Sequence, residues 1–115
     1  ENIMSHETSH SITTTLTKRA QTVQQQFLDT AKDEIISHLY EPYTFKKDRR
    51  KKLTDHLNST RRHYEQTGAD LSNAKLRSDL LRDLVIYSKL PRKTLAELLR
   101  SNSTQKSIDV LLELQ

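Results

Sequence analysis

The chain has 115 residues, a formal net charge of +4 and 30% charged residues, enough for one domain and too few for two ordinary ones. A single glycine and two prolines disfavour sheets joined by tight turns, which need residues at positive φ, whereas the abundant leucine, lysine, arginine, glutamate and glutamine favour helix. With no cysteine, disulfides and thiolate metal sites are excluded, and the composition fits a reducing compartment.

Residues 1–11 are polar, rich in Ser, His and Thr, and carry no apolar period, which predicts a disordered N-terminal tail. Within it, "HETSH" places His6, Glu7 and His10 at the spacing of the zinc-protease pattern H-E-x-x-H. That chemistry needs a rigid helix to hold both imidazoles on one face, a base for the metal-bound water and a third protein ligand. The neighbours here are "NIMS" and "SITT", and Glu34 downstream sits on the same predicted rod as His10. A straight rod cannot fold back on itself, so a zinc metalloprotease is only the distant third reading. Neither metal nor any other cofactor is expected.

From Ile12 the apolar positions run Ile12, Leu16, Ala20, Val23, Phe27, Ala31, Ile35 and Leu39, steps of three and four that predict a long first helix. At 1.5 Å per residue it spans about 42 Å, more than the roughly 35 Å expected across a compact domain of this size. Pro42 ends it. A second helix is predicted from about Thr44, as N-cap, to about Gln66, with Gly68 as the stop. Its inward positions are Phe45, Leu53, Leu57 and Tyr64.

A third helix opens at Asp70 or Ser72. On a helical wheel Ala74, Leu76, Leu80, Leu81, Leu84, Val85 and Tyr87 fill one half, against Lys75, Ser78, Asp79, Arg82 and Asp83 on the other. So wide an apolar stripe predicts a central helix. Pro91 starts a fourth, with Leu95, Leu98 and Leu99 inward. "SNST" caps a last one, with Ile108, Leu111 and Leu112 buried. The expected fold is all-α: a compact four- to five-helix bundle with a long first helix and short loops, one domain over 12–115. The chain opens at "ENIM" and stops inside the apolar pattern "VLLELQ", which predicts a fragment of a larger protein. No apolar run is long enough to span a membrane, and no signal-peptide core is readable, so an intracellular setting, cytoplasmic or nuclear, is expected.

The positive charge is local. Residues 46–63 carry eight bases and two acids, while 1–45 carry three and six. The stretch "KKDRRKK" puts cations on every side of the first two turns of the second helix. Unpaired charge cannot be buried in a bundle, so these turns are expected to face solvent and meet anions. Lys46, Lys47, Arg49, Arg50, Lys51, Lys52, Arg61 and Arg62 are the candidate contacts to phosphate or carboxylate, arginine as a fork and lysine as a point charge. Tyr40 and Tyr43 are placed to stack on bases.

The expected function is therefore a non-enzymatic binding module that docks a polyanion, nucleic acid first and an acidic protein surface second. The alternative is a structural or protein–protein interaction domain of a multidomain protein, such as a bacterial or viral accessory domain, whose basic helix is merely solvated. Self-association through the Leu-rich third and last helices is a further expectation. A helix-turn-helix in "TLAELLRSNSTQKSIDVLLEL" fails by about two residues of register, since its tight-turn position falls on Arg100. The pairs Asp55–His56 and His63–Glu65 do not converge on one atom, because neighbouring helical residues point about 100° apart.

Overall fold

A computed structural model describes residues 22–42 and 45–115. Outside the described residues lie the predicted tail with His6, Glu7 and His10, the first turns of the predicted long helix with Ile12, Leu16 and Ala20, and Tyr43 and Thr44. Five helices and no strand are present among the described residues: α1, helical over 22–38, α2 (Lys46–Glu65), α3 (Ser72–Ile86), α4 (Arg92–Ser101) and α5 (Thr104–Glu113). The protein is an all-α bundle with short loops. None of these helices is long and apolar enough to cross a membrane.

The stripe of α1 packs as its period requires. Phe27, Ala31, Ile35 and Leu39 are buried and Val23 is packed against the core, while Leu28 and Ile36 widen the stripe. In α2, Leu53 and Leu57 are buried, and Tyr64 packs edge-on to Phe27 with its hydroxyl 2.9 Å from Thr30 Oγ1. The N-cap of α2 is Phe45, one residue past the predicted Thr44, and its side chain makes no capping bond. Phe45 is also 65% exposed rather than inward. Its backbone is extended (φ −118°, ψ 140°) and precedes the helix, so the helical wheel does not govern its direction. Gly68, at φ +86°, donates its N–H to Glu65 O at 2.9 Å and closes the helix, as its freedom at positive φ allows.

Asp70 Oδ1 accepts from Ser72 N at 3.0 Å and from Ser72 Oγ at 2.7 Å, holding the first turn of α3. The buried face of α3 is the predicted one in part: Ala74, Leu81, Leu84 and Val85 go inside as expected, joined by Ser78 and Arg82 from the half expected to be polar. Leu71, Ala74, Ser78, Leu81 and Val85 are buried, in steps of three and four, together with Arg82. Leu76, Leu80 and Tyr87 stand exposed. Small side chains at Ala74 and Ser78 let neighbouring helices approach closely, which bulky leucines would prevent. The charge of Arg82 is met inside its own helix, by Asp79 and Asp83.

Pro91 immediately precedes α4, which buries Leu95, Ala96 and Leu99 and leaves Leu98 part-buried. Ser103 Oγ accepts from Lys106 N at 3.2 Å and caps α5. Ile108 and Leu111 are buried, but Leu112 is 49% exposed, because it lies about 100° round the helix from Leu111. Helix α3 packs on α2 and α5, and α4 packs on α5. Helix α1 is tied to the last two helices by polar bonds. Lys32 Nζ donates to Asn102 O at 2.6 Å, and Thr104 Oγ1 donates to Leu28 O at 3.3 Å.

Candidate anion-docking surface

The core face of α2 is fixed by Leu53, Leu57 and Tyr64, and the other side chains follow at about 100° per residue. Asp48 in the first turn offsets the unfavourable cluster of cations near the positive end of the helix dipole. The eight candidate cations divide into two groups. Some are used by the chain itself. Arg50 Nε lies 3.0 Å from Asp83 Oδ1, and that bond and charge raise the guanidinium above its ordinary value. Arg61 Nη1 reaches both carboxylate oxygens of Glu65 at 3.1 Å. Lys46 Nζ sits 5.5 Å from the centre of the Tyr87 ring, a cation–π contact. Arg49 and Lys52 are engaged as well.

The others are open. Lys47 and Lys51 are exposed and have no ion-pair partner among the described residues, and Arg62 meets only the Ser59 hydroxyl at 3.4 Å. Lys47, Arg50 and Lys51 line a groove of about 530 Å³ together with Thr54, Tyr87 and the two acids of the stretch, Asp48 and Asp55. The cationic surface is therefore thinner and more mixed in sign than the bare run of lysines and arginines implies.

The aromatic residues are distributed differently from expectation. Tyr40 accepts a bond from Arg100 Nη2 at 2.7 Å, and the same guanidinium stands 5.4 Å from its ring centre, so one face of the ring is taken. Tyr43 lies outside the described residues. The aromatic side chain that the fold brings to the cations is Tyr87, at the end of α3. Its signal was the short connection through Gly68 and Asp70, which makes α2 and α3 antiparallel neighbours and sets the start of one beside the end of the other.

A second cluster lies where α2 meets α1. Glu34 Oε2 accepts from Thr60 Oγ1 at 2.6 Å and lies 3.3 Å from His56 Nε2. His56 Nδ1 is 3.3 Å from His38 Nε2. With Glu34 accepting from His56 Nε2–H, the neutral pair has His56 Nδ1 as acceptor and His38 Nε2–H as donor. Burial lowers the His38 imidazole from its ordinary value; His56 and Lys52 lower it further and Glu41 opposes them. The ring centres are 5.5 Å apart, so the two nitrogens point at one another in a hydrogen bond. Metal ligation needs lone pairs that converge on a third point. No group of three or more His, Asp or Glu fit to hold a metal is present among the described residues.

Comparison with known proteins finds no matching family model, no matching curated protein and no matching solved structure.

Proposed function

We propose that this chain is a non-enzymatic binding module, working inside the cell, that docks a polyanion on the outward face of α2. The observation that carries this is the exposure of Lys47 and Lys51 with no counter-ion among the described residues. An ammonium group left in water costs little, but it gains most where a phosphate or carboxylate meets it and releases bound counter-ions. Arg62 extends the row by about three turns, and Tyr87 offers an aromatic surface beside Lys47 and Lys51, which favours nucleic acid as the polyanion to try first. Arg50 and Arg61 contribute mainly by fixing α2 in place, since their charge is matched within the chain.

The experiment is a titration of a labelled single-stranded oligonucleotide at two salt concentrations. Three phosphate contacts predict that affinity falls about twentyfold between about 50 and about 200 mM salt. Changing Lys47, Lys51 and Arg62 together to glutamine should remove most of that binding and leave the melting temperature unchanged. No binding at low salt would remove nucleic acid from the proposal.

A second reading, a protein–protein interaction domain, is favoured by one specific observation. Leu76, Leu80 and Tyr87 stand exposed along α3, next to the helix that carries the cations.

A further inference from the structure

We propose that the exposed stripe of α3 and the cationic edge of α2 together dock an acidic amphipathic helix of another protein. This rests on the proposal that α2 receives negative charge, and it names the chemistry of the partner. Leu76, Leu80 and Tyr87 are 65%, 41% and 54% exposed. Their spacing of four and seven residues sets them on one line along the helix, a line about 16 Å or three turns long. Single surface leucines need no explanation, whereas an ordered row of apolar side chains marks a place where something docks.

The charge beside the row decides what. Asp83 shares this face of α3, and its bond to Arg50 pins the cationic edge of α2 alongside the stripe. At the Tyr87 end the open cations Lys47 and Lys51 line the same groove as the ring. Asp48 and Asp55 line it too, so the groove suits a ligand that sets single carboxylates on the two lysines better than one with a continuous run of negative charge. Nucleic acid also gains nothing from Leu76 and Leu80. A helix with leucines turned toward α3 and glutamates toward Lys47 and Lys51 satisfies both halves of the surface, in the manner of helix-in-groove recognition.

The test uses a synthetic helical peptide of about five turns, with leucines along one face and glutamates on its flank. A control peptide has the same composition shuffled to destroy the face, and a labelled oligo-dT serves as nucleic acid. Binding of the patterned peptide and not the shuffled one is expected. It should weaken at least tenfold in Leu76→Gln/Leu80→Gln, and separately in Lys47→Gln/Lys51→Gln, with the melting temperature unchanged in both. Equal binding of both peptides, lost only in the lysine variant, would overturn the apolar half and leave the polyanion proposal standing. Failure of every probe to bind would overturn both. Oligo-dT binding without peptide binding would give the surface to nucleic acid. A dimer of the chain that Leu76→Gln/Leu80→Gln dissociates would give the stripe to a second copy.

Discussion

Replacing Arg82 by methionine is expected to lower stability by about 2 kcal/mol. The Arg82 side chain is 6% exposed, and its guanidinium makes three bonds to two carboxylates. Nη1 donates to Asp79 Oδ1 at 3.1 Å, and Nε and Nη2 donate to the two oxygens of Asp83 at 3.0 and 3.2 Å. Breaking a buried ion pair costs about 3–5 kcal/mol when the abandoned charge stays buried. Here the abandoned charges keep other partners. Asp79 and Asp83 are 23% and 39% exposed, and they retain Lys75 at 2.8 Å and Arg50 at 3.0 Å. Methionine also keeps the apolar stem in place, so the loss falls below that range. Urea denaturation at neutral pH reads it directly, and for a domain near this size it corresponds to a drop in melting temperature of roughly 8 °C.

Acid gives a second arm to the same experiment. Burial pushes the Asp83 carboxyl up, but hydrogen bonds from Arg82 and Arg50, helped by their charges, outweigh it and hold the group below its ordinary value. A carboxylate depressed on folding stabilises above its unfolded value, near 4, and that contribution is lost as pH falls through the folded value. The Arg82→Met protein should therefore lose less stability than the wild type over that acidic window. An unchanged denaturation midpoint at neutral pH, together with an unchanged acid dependence, would refute the assignment of Arg82 as the fixed centre of this network.

Leu81, fully buried, and Leu76, 65% exposed, should behave oppositely in denaturant unfolding: Leu81→Ala costs about 3–4 kcal/mol of stability, and Leu76→Gln stays within about 0.5 kcal/mol. Equal losses would mean that the stripe is covered. For His38, the lowered imidazole means that the unfolded chain takes its proton first. Stability should then fall as pH drops from about 6.5 toward the folded value. A ring-proton titration by NMR should give His38 a midpoint below 6.5, His38→Gln should flatten the slope, and a midpoint above that value would contradict burial as the dominant cause. Removing the α5 cap by Ser103→Ala should cost about 1 kcal/mol, read as a lower melting temperature, whereas Ser103→Asp, which also accepts from Lys106 N, should preserve it.

Much of the fold was legible because it depends on local rules. Scarce glycine and leucine-rich periodicity specify helices, Pro42, Gly68 and Pro91 punctuate them, and Ser103 announces the last. What was not legible depends on register between helices. A wheel weighs Leu76 and Arg82 by their own chemistry, yet Arg82 goes inside because Asp79 and Asp83, at the edge of the buried face, match its charge, and Leu76 stays out because Ala74 and Ser78 offer the tighter fit. The candidate site divides along the same line. The cations of α2 could be read from the chain, but the loss of Arg50 to Asp83 and the arrival of Tyr87 beneath Lys46 both require knowing that the start of α2 lies against the end of α3.

The bonds from Lys32 to Asn102 and from Thr104 to Leu28 bridge 70 and 76 positions of sequence. Bringing such distant segments together carries a closure entropy that grows only slowly with loop length, but no contact repays it until the loop shuts. During synthesis the pocket around Leu28 must therefore wait, partly wet, until Thr104 has left the ribosome. In that interval the growing chain is most open to chaperones, proteases and wrong partners.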